Sequence, residues 1–217
     1  MGLSTRDKAS LSPRVPPGGP EKASRGGRPR NEELHQALLQ TTFEMVLQSG
    51  FRAVSIESIA AATGVSKATI YRRWPNKAAV VMDAFTNKVG SGTLFHKASS
   101  SVESIRLQMR AMARSFRGND GTLVKALMAE AQFDLELAEA FRQRWTLPRR
   151  RLATGVIQEA IRRGELRSDV DPEDVIDLLY SPLYYRLQMG TGKLSDAYVD
   201  GIFRNAMRGL EGDRPPA

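Results

Sequence analysis

From Leu34 onward, apolar residues recur every three or four positions, the period of a helix with one buried face. Leu34, Leu38, Leu39, Phe43 and Val46 predict a first helix. It opens at Asn31, with Glu32 and Glu33 in its first turn, and stops at Gly50. Three short helices follow. Ser55 caps one whose apolar positions are Ile56, Ile59 and Ala60; Gly64 breaks it, and Val65 is the apolar residue of the turn. Ser66 caps the next, which runs to about Trp74, and Asn76 caps a fourth from Lys77 through Phe85. Gly90-Ser91-Gly92 then loosens the pattern.

Beyond that point the periodicity predicts helices over about 100–117, 121–131, 134–164, 172–189 and 195–210. Pro148 should kink or break the third of these, because it lacks an N–H and its ring clashes with the preceding turn. Asp171-Pro172-Glu173-Asp174 is a strong start signal: a cap, proline at the first position, then acids on the positive end of the helix dipole. No stretch alternates like a strand and no segment repeats, so the expected class is all-α.

Composition narrows the chemistry. The 217 residues include no cysteine, which excludes disulfides, thiolate nucleophiles and cysteine-held metals. No apolar run approaches the roughly 18 residues of a membrane span, and the basic N-terminus lacks an apolar signal core. The expectation is a cytoplasmic protein with no membrane role. Three segments are expected: a disordered basic arm at 1–30, a small helical domain at 31–90 and a larger one at 91–217. Residues 1–30 hold five prolines, five glycines and almost no large apolar side chains, too few to offset the entropy of ordering.

Charge is distributed unevenly. The chain carries a formal net charge of +8, yet the arm alone has seven Lys/Arg against two acids. Within the near-neutral remainder, Lys67, Arg72, Arg73 and Lys77 stand together with no acid between Ser58 and Met82. That patch lies on Ser55–Lys77, SIESIAAATGVSKATIYRRWPNK. Two short helices joined by a glycine turn form the helix-turn-helix pattern, whose second helix enters a DNA major groove. Ser66, Lys67 and Thr69 then lie where base edges are met, and Tyr71, Arg72 and Arg73 where phosphates pass. The competing reading is a solvated basic face on a helical bundle.

This stretch, extended to SIESIAAATGVSKATIYRRWPNKAAVV, resembles the tetracycline-repressor (TetR) family of transcription regulators over about residues 31–85. Further on, FDLELAEAFRQRWTLPRRR and DVIDLLYSPLYYRL resemble one subgroup of that family's C-terminal domains. After the recognition helix the family usually has histidine and then Phe or Tyr; this chain has Arg73 and Trp74. The resemblance implies a helix-turn-helix DNA-binding domain at 31–90 and a helical ligand-binding and dimerisation domain at 91–217. Ser55 and Ser66 would offer hydroxyls and helix N-termini to phosphates. Lys67 and Thr69 would face the groove, Ala68 would permit close approach, and Tyr71 and Lys77 would bind phosphates. Ile70 and Trp74 would point into the small core. No cofactor and no metal is implied.

The arm supplies a further candidate. Arg25, Arg28 and Arg30, in RGGRPR, precede the first helix, and an extended arginine-rich segment suits a narrow A·T minor groove. A solubilising tail is the alternative.

In the C-terminal part, the resemblance implies a pocket for an unidentified small-molecule effector. Its candidate lining is Met109, Met112, Phe116, Leu127, Met128, Phe133, Phe141, Trp145, Tyr180 and Tyr184. The same residues would serve equally as plain core. Val175, Leu178, Leu179 and Leu183, with Ile202, Phe203, Ala206 and Leu210, suggest two apolar faces. Two such helices per subunit would build a four-helix homodimer seam, or would simply close the monomer. The expected function is a dimeric, ligand-responsive regulator of palindromic operator DNA, most simply a repressor. Two rivals remain: a DNA-binding protein without small-molecule control, and an all-helical enzyme. The enzyme lacks support, because His35 and His96 have no reason to meet and no phosphate-cradling loop follows a strand.

Overall fold

The computed structural model describes residues 28–90, 95 and 98–211. Ten α-helices run through them: α1 (Arg28–Ala53), α2 (Ile56–Thr63), α3 (Lys67–Arg73), α4 (Lys77–Val89), α5 (Ser101–Phe116), α6 (Asn119–Glu130), α7 (Leu135–Phe141), α8 (Leu147–Arg162), α9 (Pro172–Met189) and α10 (Asp196–Leu210). The described residues form no strand beyond an isolated bridge between Leu166 and Glu211.

Local chemistry sets most boundaries. Ser55 and Ser58 form a reciprocal capping box: each hydroxyl accepts from the other's backbone N–H, at 3.1 and 2.9 Å. Ser66 accepts from the Thr69 N–H at 3.2 Å, and Asn76 from that of Ala79 at 2.9 Å. Gly64 closes α2 in the left-handed conformation, φ 68°, where a side chain would be strained. Pro75 holds Trp74 extended and ends α3. In α1 the break at Gly50 (φ 80°) is present, but helical hydrogen bonding resumes for residues 51–53. The helix also starts at Arg28, ahead of Asn31; Pro29 has the fixed φ that a first helical turn accepts.

The interruption expected at Pro148 takes the form of a π turn between α7 and α8 rather than a loop. A π turn over Arg142–Thr146 joins α7 to α8, and Pro148 occupies the second position of α8. At a helix start its missing N–H leaves no bond broken.

Helix α4 organises the molecule. Its buried residues, from Ala78 to Val89, include Val80, Val81, Met82 and Phe85 and point in several directions. A helix that is apolar nearly all round must be covered all round. It packs on α1 on one side and on α7 and the π turn on the other. One continuous apolar core therefore runs from Leu38 to Leu210. Ion pairs tie elements across its surface: Arg52 of α1 to Glu130 of α6 at 2.7 Å, and Arg106 and Arg110 of α5 to Asp200 of α10.

Candidate nucleic-acid interface and ligand cavity

The α2–turn–α3 unit is held from within by Ile56, Ile59, Val65 and Ile70, the last fully buried. With Ile70 fixed inward, the rotation of α3 is fixed too. Ser66, Lys67, Ala68, Tyr71, Arg72 and Arg73 are then presented to solvent on one short helix. Thr69 is half-buried, with its hydroxyl 3.0 Å from that of Ser66. Lys67 pairs with Glu57 at 3.2 Å, an exposed contact worth little and easily exchanged for a phosphate or base.

Two predicted contacts are placed differently from the rest. Lys77 is half-buried; its ammonium donates to the Phe51 carbonyl at 2.9 Å and lies 4.0 Å from that ring's centre. It ties α4 to the end of α1. The Ser55 hydroxyl is engaged in the capping box. Of the arm, Arg25 lies outside the described residues, as does the expected disordered stretch up to residue 27. Arg28 and Arg30 belong by backbone to the first turn of α1 rather than to an extended segment.

Behind α3, Trp74 is buried and stacks on His35 of α1, ring centres 5.5 Å apart. Burial and the nearby Arg73 guanidinium lower the His35 pKa. The Trp74 indole N–H donates to Asp83 of α4 at 2.6 Å, and the other Asp83 oxygen accepts from Arg144 at 2.7 Å. The end of the presented helix is thus bonded through α4 to the π turn.

A cavity of about 100 Å³ opens between α5, α8 and α9. Gln108 and Met112, Arg149 and Ala153, and Ile176, Tyr180 and Tyr184 line it from the three helices, with Phe95 and Leu152 at its edge. Of the sequence candidates it therefore gathers Met112, Tyr180 and Tyr184. Met109, Phe116, Leu127, Phe141 and Trp145 are packed core, and Met128 lies partly buried against it. Phe133 is 82% exposed, on the turn after α6, and belongs to neither. Sequence reasoning missed Gln108 and Arg149, because a polar or cationic residue at helical spacing reads as surface.

The cavity wall is electrostatically distinctive. The Arg149 guanidinium lies 3.2 Å from the Trp145 ring centre, and burial lowers its pKa to about 10. Tyr184 accepts from the Trp145 indole N–H at 2.9 Å. The Tyr180 hydroxyl is enclosed and has no hydrogen-bond partner; burial raises its pKa. At the rim Arg150 pairs with Glu173 and, at 2.5 Å, with Asp177.

The predicted seam residues divide. Leu179 and Leu183 are fully buried inside the subunit, and Phe203 and Leu210 nearly so; these four face the subunit's own core. Ile202 and Ala206 are half-buried on α10. The free apolar stripe on α9 is Leu178, Tyr185 and Met189, exposed by 50%, 59% and 65%. Spaced by seven and four residues, they share one face. The Tyr198 hydroxyl of α10 reaches the Pro182 carbonyl at 3.4 Å, so the stripe adjoins α10.

Comparison with known proteins agrees with this geometry. Residues 38–84 match the family described as bacterial regulatory proteins, tetR family, and residues 100–206 match the tetracyclin repressor-like C-terminal domain. The chain is 40% identical over 188 residues to the HTH-type transcriptional regulator YdeS of Bacillus subtilis, covering 87% of this chain and 95% of that protein. It is 29% identical over 174 residues to the DNA-binding transcriptional repressor TetR of Mycobacteroides abscessus, covering 78% and 90%. The crystal structure of the TetR family transcription regulator SCO0332 superposes with a TM-score of 0.71 at 30% identity, covering 82% of this chain and 98% of that one.

Proposed function

The chain belongs to the tetR family of bacterial regulatory proteins, and from that premise we propose that it represses transcription as a homodimer that a small molecule releases from its operator. It is a DNA-binding transcriptional regulator and not an enzyme. The proposed domain boundaries are 31–90 for DNA binding and 91–217 for ligand binding and dimerisation. Among the described residues no helix is long and apolar enough to cross a membrane. We place the protein in the cytoplasm, with its DNA.

The observation that carries the reading is the fixed presentation of α3. Fully buried Ile70 clamps one face, and Lys67, Ala68, Tyr71 and Arg72 occupy the other. Lys67 and Thr69, near the helix N-terminus, would meet base edges; Ser66, Tyr71, Arg72 and Arg73 would meet phosphates. Lys77 would act chiefly by holding α1 against α4, and Arg25, Arg28 and Arg30 would add charge beside the duplex.

Two copies would pack through the outer face of α9 and α10, Leu178, Tyr185 and Met189 with Ile202 and Ala206. A second copy is the occupant that an inverted-repeat operator requires, because a twofold protein reads two half-sites about 34 Å, or a multiple of it, apart. A ligand between α5, α8 and α9 would shift α8. That movement would reach α3 through Arg144, Asp83 and Trp74. Driving the equilibrium from 1:99 to 99:1 needs roughly 5.5 kcal/mol of differential affinity. The cavity favours this reading over DNA binding without ligand control.

The test is selection of duplexes from a random pool by the full chain. An enriched inverted repeat, protected over both halves, is expected. Enrichment of single half-sites, or none, overturns the dimeric operator reading.

A further inference from the structure

We propose that the cavity between α5, α8 and α9 takes an uncharged, largely apolar molecule bearing an acceptor oxygen, and that Tyr180 is the residue that donates a hydrogen bond to it. The proposal deepens the effector reading above and rests on it.

Three observations converge. First, Tyr180 forms part of the cavity wall, and its hydroxyl is enclosed without a hydrogen-bond partner. The other four tyrosines are provided for. Tyr184 accepts from the Trp145 indole at 2.9 Å, Tyr198 donates to the Pro182 carbonyl at 3.4 Å, and Tyr71 and Tyr185 are exposed to water. Phenylalanine would fill the space of Tyr180 without stranding a polar atom, so the hydroxyl costs stability until something meets it. Burial keeps that hydroxyl protonated. An idle lone pair is tolerated better than an idle hydrogen, so the missing partner is an acceptor.

Second, the charged groups around the cavity are already matched. Arg150 pairs with Glu173 and with Asp177 at the rim. Arg149 rests on the Trp145 ring at 3.2 Å and is engaged beyond that contact, and Gln108 is engaged as well. An ion entering the cavity would give up its hydration and meet no unmatched counter-charge. A neutral molecule has much less hydration to lose.

Third, the rest of the wall is apolar: Met112, Leu152, Ala153 and Ile176, with the rings of Phe95 and Tyr184. Such a wall holds a ligand by burial, and one fixed polar group orients it. The cavity of about 100 Å³ is smaller than the roughly 150 Å³ space known to take benzene, so the enclosed body is no larger than about one ring.

The experiment is titration calorimetry of the full-length protein with two pairs of matched shape, acetophenone against ethylbenzene and cyclohexanone against methylcyclohexane. Benzoate and benzylamine are the charged controls. Each ketone is expected to bind roughly three- to tenfold more tightly than its hydrocarbon, the span of one neutral hydrogen bond, and more tightly than either ion. Tyr180→Phe should remove the preference for the ketone and leave the hydrocarbon unchanged. The same variant carries a readout that needs no ligand: without a partner to lose, it should melt no lower than the natural chain. A fall of about 2–4 °C or more, the shift of one lost hydrogen bond in a chain of this length, would show that the hydroxyl is already satisfied and overturns the proposal. So does a ketone preference that survives Tyr180→Phe, tighter binding of an ion, or no ketone binding at millimolar concentration. Release of labelled operator is followed in parallel. Ketones that bind through Tyr180 without releasing DNA leave the site standing and remove its regulatory role. A compound that releases DNA equally from the natural chain and from Tyr180→Phe leaves regulation standing and removes Tyr180 as the anchor.

Discussion

Arg144 donates its Nε to Asp83 at 2.7 Å, and so joins the π turn before the cavity helix to the helix that carries Trp74's acceptor. The pair is half-exposed, so its direct energy is small, on the order of 0.5 kcal/mol. Its consequence is geometric: displacement of the π turn moves Asp83, and Asp83 is bonded to the residue that ends α3.

Arg144→Gln is therefore expected to change stability by about 0.5 kcal/mol and operator affinity by less than about threefold. It should reduce the loss of DNA binding that the effector causes. Fluorescence anisotropy of labelled operator, with and without ligand, measures both. An undiminished response would show that coupling bypasses Asp83, for example through the Phe85–Trp145 contact.

On α3, Thr69→Ala should relax base preference at one position in each half-site, at a cost of about 1–3 kcal/mol there. Arg72→Ala should instead weaken all sequences alike and flatten the slope of log K against log salt by about 0.9 for each phosphate that is no longer neutralised. Binding to a panel of single-base operator variants at several salt concentrations separates the two. A sequence-blind loss for Thr69→Ala would remove that residue from base reading.

Much of this was legible in the sequence where the signal is local. Ser55, Ser66, Asn76 and Asp171 cap helices in the structure as their side chains predict, because a cap depends on residues two or three positions away. The glycine turn follows from spacing, and the burial of Ile70 from the family resemblance. The cavity did not, since its wall is a tertiary property: Met109 and Met112 share α5 and have the same chemistry, yet only Met112 reaches the space. Leu178 and Leu179 differ by one residue, about 100° of helix, and an apolar pattern on both sides of α9 left the outward direction undetermined. The π turn answers Pro148 in a way that no periodicity encodes.

His35 gives the fold a pH dependence with a definite sign. Its pKa is lowered by burial and by Arg73, against the opposing influence of Glu32 and Asp83. The unfolded imidazole takes up its proton near pH 6.5, the folded one at lower pH. The unfolded state therefore binds more protons as pH falls through 6.5, and stability declines until the folded imidazole is protonated too. Urea midpoints at pH 7.5 and 5.5 should fall for the natural chain and fall less for His35→Gln. Equal falls would place the acid sensitivity elsewhere.

The neighbouring leucines of α9 give the sharpest test of the subunit seam. Leu179 is fully buried within the subunit, and an unpaired carboxylate there carries a large desolvation cost. Leu179→Glu should therefore lose helical circular dichroism or melt far lower. Leu178 is half-exposed in the single chain and becomes enclosed only if a second copy covers α9. Leu178→Glu, alone or with Tyr185→Glu, should keep the helical spectrum and run as a monomer in analytical ultracentrifugation. It should also lose cooperative binding to an inverted repeat while retaining weak affinity for a single half-site. If Leu178→Glu stays dimeric at micromolar concentration, the seam lies off this face. If Leu179→Glu folds and is monomeric, the buried side of α9 opens to the partner, and the packing of α9 on α8 must change on assembly.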